Sequence, residues 1–163
     1  GQRQPRITAH APVPADALVL ARIHRVLRPQ RRGIGADQLV PADAAPEQVF
    51  RAHVDPELYA QWVGPHSVTT RITRWDARTG GEWAFANDRG GEEIAAFHGC
   101  FHEVRPNERI VWSYTMHVGD RPISVSLTTL ELCPDGLGTR LRFVEQGVYL
   151  DDYDGAADRV GLA

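Results

Sequence analysis

The chain has 163 residues, 42% of them hydrophobic and 24% charged, with 15 Gly and 11 Pro. That length suits one domain burying roughly two-thirds of its unfolded surface, and the composition excludes collagen-like, fibrous and fully disordered classes. All 18 basic residues are Arg, and the net charge of −3 hides an asymmetry: residues 1–35 carry seven Arg against Asp16, a net +6, while residues 36–163 carry −9.

Cys100 and Cys133 are too few for a disulfide framework or a four-cysteine zinc site, and they fit a reduced, cytoplasmic protein. No stretch approaches the roughly 18 apolar residues of a membrane span, so no membrane partner is expected. The run Ala17–Ala21 is too short for a signal-peptide core.

In chain order, residues 1–35 read as a basic N-terminal extension. Val19, Leu20, Ile23, Val26 and Leu27 recur at helical spacing between Pro14 and Pro29, which predicts a short amphipathic helix over 17–28. Residues 30–45 read as a linker with at most a poor strand at Gln38–Ala42, confined to a sheet edge by Pro41. Pro46-Glu47 opens a short helix with Val49, Phe50 and His53 on one side. Asp55-Pro56-Glu57 starts another, with Asp55 as N-cap and Leu58 and Trp62 on its buried face. Beyond Gly64-Pro65 only strand-like runs follow: 68–75, 82–87, 94–104, 109–117, 123–132 and 139–146. Short turn-forming breaks between them predict an antiparallel meander. One face of that sheet is aromatic and must be covered, and two short helices are not enough to cover six strands.

Three segments in order carry a specific resemblance: Ala-Pro-Glu-Gln-Val-Phe (45–50), Asp-Pro-Glu-Leu-Tyr-Ala-Gln-Trp-Val-Gly-Pro (55–65) and Thr-Gly-Gly-Glu-Trp-Ala-Phe (79–85). The stretches 97–112 and 138–148 extend it. Together they resemble the START-like, helix-grip superfamily, in the branch similar to the C-terminal domain of the activator of heat-shock protein 90 ATPase. The resemblance covers about residues 39–158. It implies an α+β fold, a curved antiparallel sheet around a long C-terminal helix, with a cavity between them. The expected organisation is thus an extension over 1–35 and a START-like domain over 36–163. Two departures stand out. The family's first strand falls where this chain has Pro41, and the gripped helix starts near Gly155–Asp158, only a turn or two before Ala163. A truncated helix is therefore expected, its place taken by the helix at 17–28 or by a partner chain.

Trp112, Tyr114 and Met116 share one strand face and are the best candidates to line a cavity, with Leu127, Leu141 and Phe143 from the next strands. His98, His102 and His117, with Glu145, are the polar cavity candidates. His117 paired with Glu145 or Glu131 is the arrangement an acid–base enzyme would use, although His117 is out of phase with the cavity face. His98, Cys100 and His102 alternate on one strand, but roughly 6.6 Å between i and i+2 neighbours lets at most two share an ion, so no metal is assigned. No phosphate-cradling loop, nucleophile elbow or nicotinamide fingerprint is present, and no cofactor or catalytic residue is assigned. The Arg-rich head lacks interleaved aromatics, so no nucleic-acid partner is expected. The leading expectation is a domain that binds a small hydrophobic molecule without turnover, with a homodimer left open. The alternatives are a polyketide cyclase- or hydrolase-type enzyme using the same cavity, and a co-chaperone-like ATPase activator.

Overall fold

The computed structural model describes the backbone of residues 34–42 and all atoms of residues 44–150. The predicted helix at 17–28 and the expected C-terminal helix both lie outside the described residues.

Among the described residues seven strands form one antiparallel sheet. They are β1 (Ile34–Ala42), β2 (Thr69–Trp75), β3 (Glu82–Arg89), β4 (Glu92–Arg105), β5 (Arg109–Val118), β6 (Arg121–Asp135) and β7 (Gly138–Tyr149). Two helices, α1 (Pro46–Val54) and α2 (Pro56–Trp62), fall between β1 and β2. The strand order is β1-β7-β6-β5-β4-β3-β2. The chain thus crosses through the helices from one edge of the sheet to the other, then returns strand by strand until β7 pairs with β1. The result is the curved helix-grip sheet with two short helices. The six strands expected beyond Pro65 are all present, and most run longer than the sequence pattern suggests. The stretch read as a linker with a poor strand is instead a nine-residue edge strand, registered from Ile34↔Gly147 to Ala42↔Thr139. Pro41 is compatible with it because an edge strand has one side on which no partner needs its N–H.

Local chemistry explains the joints. Gly90 and Gly91 form the two-residue loop between β3 and β4, both at positive φ (60° and 87°), the backbone that a type I′ hairpin turn requires. Asn107, in the β4–β5 turn, takes φ 62°, which asparagine tolerates better than most residues. Asp55 caps α2 as expected, its Oδ1 accepting from Glu57 N (3.0 Å) and Leu58 N (3.3 Å). The last turn of α1 is satisfied by two indoles. Trp62 Nε1 donates to Ala52 O (3.0 Å), and Trp75 Nε1, from β2, donates to Val54 O (2.7 Å). At its other end the Thr139 hydroxyl of β7 donates to Ala44 O (2.7 Å), fixing α1 over the β6–β7 hairpin.

Two details differ from the sequence reading. In α1 the buried residues are Val49, Ala52 and His53, with Phe50 only partly buried. In α2 it is Tyr59, at i, i+3 from Trp62, that packs with that tryptophan against the core, rather than Leu58. The core is one apolar layer on the helix-covered, concave face: Trp83 and Phe85, Phe101, Ile110 and Trp112, Leu130 and Leu132, Leu141 and Phe143.

Candidate functional site

Cross-strand register decides which side chains share the concave face. Trp112 pairs with Phe101 and Thr128, Tyr114 with Gly99 and Ser126, and Met116 with Phe97 and Ser124. On β7, Leu141 faces Leu132, Phe143 faces Leu130, Glu145 faces Thr128 and Gly147 faces Ser126. The face therefore changes character along its strands. Toward the β6–β7 hairpin it is apolar apart from Thr139, whose hydroxyl is bonded to Ala44 O. Two residues further along β5, β6 and β7 it carries Tyr114, Ser126, Thr128 and Glu145.

Of the apolar cavity candidates, Trp112, Tyr114, Met116, Leu141 and Phe143 all lie on this face. Trp112 and Phase-matched Phe143 meet edge to face with ring centroids 6.2 Å apart. Met116 packs separately, with Ala95 and Ile123. Leu127 is a correction. It pairs with Ser113 and Gln146, belongs to the convex face and is 45% exposed. The parity of β6 runs through Leu130 and Leu132, so Ser124, Ser126 and Thr128 point inward and Val125 and Leu127 outward.

The polar candidates divide the same way. Glu145 is on the concave face. His98, His102 and His117 are not: they alternate with Phe97, Phe101 and Met116 and project from the convex side. His98 and His117 meet there with ring centroids 5.2 Å apart, and His102 Nε2 lies 2.7 Å from Ser113 Oγ. The irregularity where β5 meets β6, between Met116 and His117, leaves Met116 inward and does not bring His117 round. None of the three is within hydrogen-bond reach of Glu145, and among the described residues no three His, Cys, Asp or Glu side chains gather as a metal would need.

What the structure does bring together is Tyr114, Glu145, Ser126 and Tyr59. Tyr114 Oη donates to Glu145 Oε1 at 2.5 Å, a short, charge-assisted bond. Burial, then the nearby Glu145 charge and this bond, push the Tyr114 phenol well above its ordinary range, while a hydrogen bond with Ser126 acts weakly the other way. Tyr59 is shifted upward too, by burial first and by Glu145 second. Both phenols therefore stay protonated, and the Tyr114 hydroxyl serves as a donor to Glu145. Gly99 keeps the floor beside them low: a Cβ there would lie 2.3 Å from the Trp83 ring, so only glycine lets that indole lie flat across β4. Trp83 and Phe97 flank Tyr114 at centroid distances of 6.0 and 6.1 Å.

A second feature lies nearer the helices. A void of about 10 Å³, about the space of one water, is lined by His53, Tyr59, Trp75, Trp83, Phe101, Ile110 and Trp112. His53 Nδ1 donates to Val49 O (2.8 Å), which leaves Nε2 as a buried acceptor with no partner. Burial holds this imidazole neutral, with its pKa lowered to about 4, the Val49 carbonyl opposing the shift only in part. Tyr59, Ser126 and His53 went unassigned in the sequence. Tyr59 was legible as the i−3 neighbour of Trp62, and Ser126 as a member of the inward parity of Leu130.

A curved antiparallel sheet with two short helices packed on it defines a helix-grip protein. Residues 43–159 match the family described as Activator of Hsp90 ATPase homolog 1-like protein, and the chain belongs to that family. Among solved structures it is similar to a Rhizobium loti protein at 34% identity (TM-score 0.62), over 78% of this chain and 89% of that one. A Chromobacterium violaceum protein is similar at 30% identity (TM-score 0.63), over 71% and 81%. A Rhizobium leguminosarum protein described as uncharacterized is similar at 30% identity (TM-score 0.61), over 82% and 90%. None of the curated proteins compared with the chain matches it. No helix among the described residues is long and apolar enough to cross a membrane.

Proposed function

We propose that the protein is a binding module that receives a small, mostly apolar ligand on the Tyr114 side of the concave face and does not turn it over. The observation that carries this reading is the Tyr114–Glu145 pair. A packed core has no use for a carboxylate on its aromatic floor, since burying polar groups costs stability unless they are satisfied. A ligand site is built in just this way, from apolar walls and a few converging polar groups. The void beside His53 has about the space of one water, and the polar pair that supports this reading sits on the Tyr114 side of the face.

An acid–base enzyme built on His98, His102 or His117 loses support, because those imidazoles project from the opposite face of the sheet from Glu145. A co-chaperone activity rests on the family's description alone, and shared fold does not carry function by itself.

Native mass spectrometry of protein purified from its own host tests the reading and reports the oligomeric state in the same spectrum. The expected result is an adduct of fixed mass, one per chain, that disappears on denaturation. A bare chain mass in every preparation contradicts it.

A further inference from the structure

Resting on the binding reading above, we propose that the ligand carries a protonated amine, or another cationic nitrogen, on its apolar body, and that Glu145 is the group that receives it.

The argument starts from what Glu145 lacks. Among the described residues no arginine or histidine is ion-paired with it, and its hydrogen-bond partner is the Tyr114 hydroxyl. Several other acids of the sheet are matched. Asp88 and Glu93 share Arg71, Glu103 holds Arg109, and Glu131 and Asp135 hold Arg142 and Arg140. Arg140 and Arg142 belong to the same strand as Glu145 but alternate with Leu141 and Phe143, so their positive charges serve the convex face. The concave face thus holds a half-buried carboxylate with one neutral donor. A carboxylate removed from water without a cation is a costly arrangement, and a ligand that supplies the cation relieves it.

The surroundings favour the same chemistry. Tyr114 and Tyr59 are the rings beside the group, and they pack in turn on Trp83, Phe97 and Phe85, with Tyr114–Trp83 centroids 6.0 Å apart and Tyr59–Phe85 5.8 Å apart. Aromatic faces attract cations through their quadrupole, most strongly where water is excluded. They repel an anionic head, as Glu145 does. A fatty-acid-like ligand, with its carboxylate forced against Glu145, is the chemistry this site rejects.

Three near-isosteric probes test this by isothermal titration calorimetry: 4-phenylbutylamine, 4-phenylbutan-1-ol and 4-phenylbutanoate. The amine is expected to bind at least about tenfold tighter than the alcohol, the difference one charge-assisted contact makes, with the acid weakest. In Glu145→Gln the amine should lose its advantage over the alcohol, with a thermal melt checking that the variant folds. An alcohol or acid that binds wild type as tightly as the amine overturns the ligand class and leaves the binding reading standing. An amine preference that survives Glu145→Gln overturns the role of Glu145. If none of the three binds at millimolar concentration, the binding reading itself falls. The order of the probes on wild type decides the ligand class even if the variant does not fold.

Discussion

The two halves of the concave face are built from the same strands and differ by two residues of register, yet they have opposite chemistry. At the hairpin end, Ile110, Leu130 and Leu141 are almost completely buried, and α1 closes over them through the Thr139–Ala44 hydrogen bond. Two residues further along, the same alternation delivers Tyr114, Ser126, Thr128 and Glu145. One half buries apolar side chains and satisfies the buried Thr139 hydroxyl within the fold. The other keeps a charged group on an aromatic floor, which is the departure from folding logic that marks a site. The family match and the fold are properties of the whole sheet, whereas what this chain binds is written in one half of one face.

Substitutions should separate the halves. The largest effect is expected for Trp112→Ala, which should destabilise by about 3–5 kcal/mol in urea denaturation, as truncation of a core aromatic does. A loss below about 1 kcal/mol would place Trp112 with the site rather than the core. Next comes pH. His53 is buried and neutral, its pKa lowered from 6.5 to about 4. The unfolded chain takes up a proton there between pH 6.5 and 4 and the folded chain does not, so stability is fully present above pH 6.5 and lost as pH falls toward 4. The loss should approach about 3 kcal/mol at about 1.4 kcal/mol per unit. His53→Phe should flatten that part of the profile, and an unchanged slope would show that other groups carry it. Smaller again, Trp75→Phe removes the indole donor to Val54 O and should cost about 1 kcal/mol, read as a fall in thermal midpoint. Smallest is Glu145→Gln, which should shift stability by less than about 1 kcal/mol while abolishing the amine preference, since Gln can still accept from Tyr114.

The hairpin half was legible in the sequence because its residues follow the ordinary rule. Trp112, Leu141 and Phe143 fall on one parity of their strands, with Ser113, Arg140 and Arg142 on the other, and the turn-forming breaks separate the strands that carry them. The other half breaks the rule. In β6, Ser124, Ser126 and Thr128 point inward while Val125 and Leu127 point out, so a reading that sends apolar side chains inward selects Leu127 and passes over Ser126. The three histidines misled for a related reason: imidazoles suggest chemistry, but parity with Phe97, Phe101 and Met116 assigns His98, His102 and His117 to the convex face. Tyr59 reaches the site from α2 across the sheet, and its proximity to Glu145 depends on tertiary packing rather than on any local pattern. Edge strand β1 was underestimated because Pro41 weakens a strand only where its N–H is needed.

The division of the face is tested most directly by two-dimensional NMR of the ¹⁵N-labelled chain titrated with 4-phenylbutylamine. Saturable shifts should concentrate on Gly99, Tyr114, Ser126, Glu145 and Gly147 and leave Ile110, Leu132 and Leu141 nearly still. Shifts centred instead on Ile110, Leu132 and Leu141, or spread evenly over the convex face, would contradict the assignment of binding to the Tyr114 half.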